Sequence, residues 1–268
     1  MLRNAKNGTV VVDGAEMSYV SFGFGEKVLI LLPGLSDGLA TVKGKALLLA
    51  GYYRIFAKKY RVYAFSRKDC LPEGYSIRDM SDDQAKAMRQ LGIEKASVIG
   101  VSQGGMIAQY LAIDHPELIE KLIIAVSAPR INELTAACVN RWICFAKQGD
   151  HRKLMIDVAE NTYSSKSLWK YRIIYPIIGF IGKPSDYGRF LINAEAILRF
   201  SAIDDLKNIS CPALIIGGEE DKIVGIQASY EMHKNIANSD LIVYPGLGHG
   251  AFEEAKDFNR RVLDFLET

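Results

Sequence analysis

Ser97-Val98-Ile99-Gly100-Val101-Ser102-Gln103-Gly104-Gly105-Met106 is the stretch on which the reading of the chain turns. A short apolar run enters Gly100-x-Ser102-x-Gly104, and residues 102–114 leave it with a helix-forming composition. A strand that turns sharply into a helix strains its corner residue and crowds the segments around it. Only small residues fit beside such a corner, which accounts for Gly100 and Gly104. This geometry, a nucleophile elbow, lifts the Ser102 hydroxyl above a sheet at the start of a helix. There the backbone N–H of Gln103 can point at negative charge developing on a bound carbonyl.

Outward from the corner, strands and helices alternate. Val28–Leu32 is a continuous apolar run stopped by Pro33-Gly34, which suits a buried parallel strand. Thr9–Val12 and Met17–Ser21 flank Asp13-Gly14 as a β-hairpin. Leu48, Tyr52, Phe56 and Tyr60 give Leu47–Tyr60 a helical repeat, and Arg61–Phe65 reads as the next strand. Asp79–Leu91 is a helix closed by Gly92, and Leu122–Val126 is a strand. Near the C-terminus the strands Ala213–Ile216 and Leu241–Tyr244 alternate with helices over Ile226–Ala237 and Glu253–Leu266. A hairpin followed by this alternation predicts an α/β protein with a mostly parallel central sheet and helices on both faces.

Residues 130–203 break the rhythm, with no convincing strand but many aromatics. An inserted helical cap is expected there, over a core made of residues 1–129 and 204–268. It follows a strand C-terminus, where open α/β sheets place their ligands. Trp169 and Tyr175 of this insert are the expected contacts for an apolar acyl or alcohol group.

Composition narrows the function classes. The chain has 268 residues, 49% hydrophobic and 24% charged, with a formal net charge of +2. That supports a large buried core, and it argues against nucleic acid or an anionic membrane surface as the main partner. The four cysteines contain no Cys-x-x-Cys pair, so zinc and thioredoxin-like readings have little support. Residues 1–14 are mostly polar and do not read as a secretory signal. Ile173–Ile181, the most apolar segment, is shorter than a bilayer span and interrupted by Pro176 and Gly179, so no membrane span is expected. The expectation is a soluble cytoplasmic protein with a small-molecule substrate, and nothing opposes a homo-oligomer. Gly38 and Gly44-Lys45 are spaced wrongly for a phosphate loop and lack the following Ser/Thr, while Gly23-Phe24-Gly25 reads as a turn.

A serine hydroxyl attacks carbonyls only when a base takes its proton. Of the four histidines, His115 precedes Pro116 at a helix end, and His151 and His233 read as surface residues. His249 sits in Gly246-Leu247-Gly248-His249-Gly250, directly after a strand, with glycines that let the loop return over the sheet. It is the expected base. The imidazole in turn needs a carboxylate to fix its tautomer. Asp221 closes Gly217-Gly218-Glu219-Glu220-Asp221 at a strand end, 28 positions before His249, with Glu219 and Glu220 as competitors.

With these residues assembled, the chain resembles the α/β-hydrolase-fold superfamily over nearly its whole length. Ser102, Asp221 and His249 occur in that family's order. His115-Pro116-Glu117 and Cys211-Pro212 are similar to common family segments. Many members carry His-Gly where this chain has Pro33-Gly34. The resemblance implies that the backbone N–H of Leu35 supplies the second oxyanion donor. It further implies a serine hydrolase, of the carboxylic-ester-hydrolase type, acting on an ester, lactone, thioester or similar acyl bond, with no metal or organic cofactor. Carbon–carbon bond hydrolases, acyltransferases and cofactor-independent haloperoxidases share the triad. Dehalogenases and epoxide hydrolases use Asp where this chain has Ser102. A non-catalytic ligand-binding receptor on the same scaffold is the alternative from another class.

Overall fold

The computed structural model describes residues 4–268. Residues 1–3, the start of the expected core and of the polar N-terminal stretch, lie outside the described residues. The chain opens with β1 (Lys6–Val12) and β2 (Ala15–Phe22), paired antiparallel. Asp13 and Gly14 between them have φ of 50° and 81°, the left-handed values that a tight hairpin turn requires. Then follow β3 (Lys27–Leu32), α1 (Ala46–Tyr52), β4 (Tyr60–Lys68), α2 (Ile77–Gln90), β5 (Ala96–Val101), α3 (Gln103–Asp114) and β6 (Ile119–Ala125). Four helices come next: α4 (Glu133–Lys147), α5 (His151–Thr162), α6 (Ser165–Arg172) and α7 (Gly188–Leu198). The chain closes with β7 (Ala213–Gly218), α8 (Ile226–Asn235), β8 (Ser239–Tyr244), α9 (Ala251–Glu254) and α10 (Phe258–Glu267).

The eight strands form one sheet in the order β1-β2-β4-β3-β5-β6-β7-β8, parallel from β4 to β8. Its central strands are buried on both faces, which is why they read as unbroken apolar runs rather than alternating ones. The two-residue period still sorts them. Ile30, Leu32, Val98, Leu122 and Ile124 join one core cluster, whereas Leu29, Leu31, Ile99 and Ile123 join the other. Strand order reverses at β3, which lies between β4 and β5. That switch point opens a crevice at the strands' carboxyl ends.

Two helices differ from expectation. The repeat over Leu47–Tyr60 yields a helix only as far as Tyr52, followed by turns, and it packs through Ala46 and Ala50. Leu48 and Tyr52 are exposed, because apolar residues on nearly every side of this segment do not single out one face. The closing helix is split at the extended residue Ala255. The break reorients the chain so that Phe258, Val262, Leu263 and Leu266 of α10 all face the sheet. α2 begins at a capping box between Ser76 and Asp79, and Gly92 beyond its end adopts φ 68°. Among the described residues, no helix is long and apolar enough to cross a membrane.

Candidate active site

Ser102 occupies the corner between β5 and α3 with φ 54° and ψ −119°, a conformation that L-residues avoid. The surroundings hold it there. Its N–H donates to the Ala125 carbonyl at 2.9 Å, and its own carbonyl accepts from Gly105 N–H and from the Ser127 hydroxyl, each at 2.8 Å. The glycines are sterically obligatory. A Cβ on Gly100 would lie 2.4 Å from the Gly104 carbonyl oxygen, and one on Gly104 would lie 2.0 Å from that of Leu32. Gly34 is packed against the Ser102 side chain, which brings the loop after β3 to the same point.

His249 reaches Ser102 from the loop after β8. The geometry lets the Ser102 hydroxyl donate to His249 Nε2 at 3.0 Å and His249 Nδ1–H donate to Asp221 Oδ2 at 2.8 Å. Gly218 makes room for the returning chain, since a Cβ there would meet the Gly248 carbonyl oxygen at 2.1 Å. Asp221 is buried, and its other oxygen accepts the N–H groups of Ile223 and Val224 at 2.8 and 3.0 Å. Burial alone would raise the Asp221 carboxyl, but the facing His249 and these N–H groups hold it below the ordinary carboxylate value. The competitors stand aside: Glu219 accepts from Gly246 N–H, and both Glu219 and Glu220 are exposed.

The N–H groups of Leu35 and Gln103, which open a 3-10 turn over Leu35–Gly38 and helix α3, have no hydrogen-bond partner among the described residues. Behind them is a buried ionic cluster that sequence reasoning did not find. Arg67, at the end of β4, donates from Nη1 to the Gly34 carbonyl at 3.1 Å and from Nη2 to Gln103 Oε1 at 2.8 Å. Asp37 accepts from the Arg67 backbone N–H at 3.0 Å and from Arg189 Nη2 at 2.6 Å. Gln103 in turn donates to the Asn193 carbonyl on α7 at 2.8 Å. The adjacent pair Arg67-Lys68 reads in sequence as a solvated edge, yet both residues are buried; only the departure at Pro33-Gly34 marked the loop as unusual.

A cavity of about 400 Å³ opens above Ser102 and His249. Its walls are mainly apolar, lined by Leu39 and Leu49 from the β3–β4 segment and by Trp142, Met155, Val158 and Phe190 from α4, α5 and α7. Trp169 and Tyr175 do not line it, contrary to expectation. α6 is oriented by burial of Leu168 and by Tyr171 stacking on Tyr163 at 3.7 Å, which turns Trp169 outward, 60% exposed. The Tyr175 hydroxyl donates to Glu160 instead. His151 is buried against the Ile181 carbonyl rather than on the surface. His115 pairs with Asp82, and His233 is exposed beside Ser239. Among the described residues, no cluster of three or more His, Cys, Asp or Glu could hold a metal ion.

A nucleophile elbow at the carboxyl edge of a mostly parallel sheet, with a His loop after the last strand, defines an α/β-hydrolase fold. A family model described as alpha/beta hydrolase fold matches residues 27–142, and one described as TAP-like protein matches residues 200–268. A protein of Caulobacter sp. (strain K31) named as a carbamate hydrolase, RutD, is 27% identical over 87% of this chain and 89% of its own. The human serine hydrolase BPHL is 27% identical over 96% of this chain and 85% of its own. The enol-lactonase from Burkholderia xenovorans LB400 superposes with a TM-score of 0.83 at 22% identity, covering 97% of this chain and 100% of that structure. The chain belongs to the α/β-hydrolase superfamily.

Proposed function

We propose that this protein is a serine hydrolase that cleaves an ester, lactone or related acyl bond through an acyl-enzyme. The observation that carries the reading is the Ser102–His249–Asp221 hydrogen-bond chain, at 3.0 and 2.8 Å, at the base of an apolar cavity. His249 Nε2 takes the Ser102 proton as the oxygen attacks the acyl carbon. The oxyanion is met by the N–H groups of Leu35 and Gln103. The protonated His249, steadied by Asp221, gives its proton to the departing alcohol oxygen. Water then enters, loses a proton to His249 and attacks the acyl-enzyme. Collapse of that second intermediate releases the acid and returns the proton to Ser102.

Residues 130–203 act as the cap over the core of residues 1–129 and 204–268. Trp142, Met155, Val158 and Phe190 support this role, since they line the cavity that also holds Ser102 and His249. A cavity of about 400 Å³ with such walls suits an apolar acyl or alcohol group. A bare carbamate would leave most of it unfilled. Turnover of p-nitrophenyl esters of increasing chain length tests the reading. Hydrolysis that disappears in Ser102→Ala and His249→Ala supports it. Turnover that survives Ser102→Ala contradicts it.

A further inference from the structure

We infer that Arg67 is a positioning residue that aims both oxyanion donors from behind, through two bonds of a single guanidinium. The inference rests on the serine-hydrolase reading and extends it to a residue outside the triad.

The bond joining Gly34 to Leu35 is trans, as are all the peptide bonds in the described residues, so its C=O and N–H point in opposite directions. Arg67 Nη1 holds the Gly34 oxygen at 3.1 Å. Fixing that oxygen on the buried side fixes the Leu35 N–H on the other side, where Leu35 and Ser102 line the cavity. A cation on the carbonyl also polarises the amide and strengthens its N–H as a donor. The second arm, Nη2, holds Gln103 Oε1 at 2.8 Å, and the opposite end of that side-chain amide is anchored to the Asn193 carbonyl. The residue bearing the other donor is thus tied to the same guanidinium.

Charge supports the same conclusion. Arg67 and Asp37 are nearly inaccessible to solvent, and Arg189 closes on Asp37 from α7. Two guanidiniums and one carboxylate leave an excess positive charge behind the loop, in a setting where screening is weak. A buried cluster of this kind is a poor device for stability alone, since apolar residues of similar volume often serve as well. Its value lies in direction, because it points dipoles at a place where negative charge appears during the reaction. The loop after β3 starts with Pro33, which has no N–H to donate. Arg67 supplies a hold on this loop from the neighbouring strand.

The test compares wild type, Arg67→Met and Arg67→Lys on an ester and on the matching thionoester, with Ser102→Ala as control. Sulfur accepts hydrogen bonds poorly, so a weakened oxyanion site slows the ester more than the thionoester, whereas general loss of structure slows both equally. Arg67→Met is expected to lower ester kcat by about 10- to 100-fold, somewhat less than outright removal of one donor. KM should stay within about threefold and the ester-to-thionoester ratio should fall. Arg67→Lys keeps the charge but not both bonds and should lie between. An unchanged ratio in Arg67→Met overturns the inference while leaving the functional reading intact. If Arg67→Met does not fold, the ratio in Arg67→Lys decides in the same way. Full turnover by Ser102→Ala overturns the functional reading, and the inference with it.

Discussion

Gly104 lies so close to Leu32 that a Cβ on the glycine would stand 2.0 Å from the leucine's carbonyl oxygen. Contact with backbone atoms cannot be relieved by a rotamer change. Gly104→Ala should therefore cost about 3 kcal/mol or more, in the range of severe core lesions, or prevent folding. Gly51, in α1, meets nothing within 4 Å and has an ordinary φ, so Gly51→Ala should stabilise by about 0.4–1 kcal/mol. Denaturant midpoints of the two variants check both signs.

Asp37 is the shared partner of Arg67 and Arg189. Replacing it by Ala leaves the buried Arg67 and the partly buried Arg189 without their shared counter-charge. The expected loss is about 3–5 kcal/mol, as for other broken buried pairs. Thermal unfolding measures it. A loss under about 1 kcal/mol would mean that the cluster behaves like an exposed ion pair.

Cavity walls and surface aromatics should separate in their effects on selectivity. Val158→Trp fills space in the cavity and should reduce the ratio of kcat/KM for an octanoate over an acetate ester by at least tenfold. Trp169→Ala, outside the cavity, should leave that ratio within about twofold. Equal shifts in both variants would require an active-site role for α6.

Much of this arrangement was legible in the chain, for identifiable reasons. Val28–Leu32 and Ser97–Val101 read correctly as strands because burial on both faces demands unbroken apolar runs. Ser102, Asp221 and His249 each sit just past a strand end, within or beside glycines that the close approach requires, and the structure brings the three together. The orientation of Trp169 was not legible, because it depends on which face of α6 is drawn down by Leu168 and Tyr171. The Arg67 cluster was not legible either. It is assembled from the turn after β3, the end of β4, α3 and α7, and no local pattern announces a contact between residues 37 and 189.

The Asp221 carboxyl sets the sign of one pH dependence. Burial opposes its ionisation, but His249 and two backbone N–H groups prevail and lower its folded-state value. The unfolded chain, with an ordinary carboxyl near about 3.9, then binds more protons than the native state across that range. The stabilisation is complete above the unfolded value and fades as pH falls through the folded one. Asp221→Asn should thus be less stable than wild type at neutral pH, with the gap narrowing in acid below about pH 4. On an ester its kcat should fall by around 10⁴-fold, the cost of leaving an imidazole in the wrong tautomer. If Glu219→Gln or Glu220→Gln is the more damaging substitution, the acid has been misassigned.

The most direct test of the central claim is intact-mass and peptide mapping after treatment of the folded protein with a fluorophosphonate. A single adduct is expected, on Ser102, with activity lost in proportion to its formation and the adduct absent in Ser102→Ala. Labelling at another serine, or no labelling of folded protein that still hydrolyses esters, would contradict it.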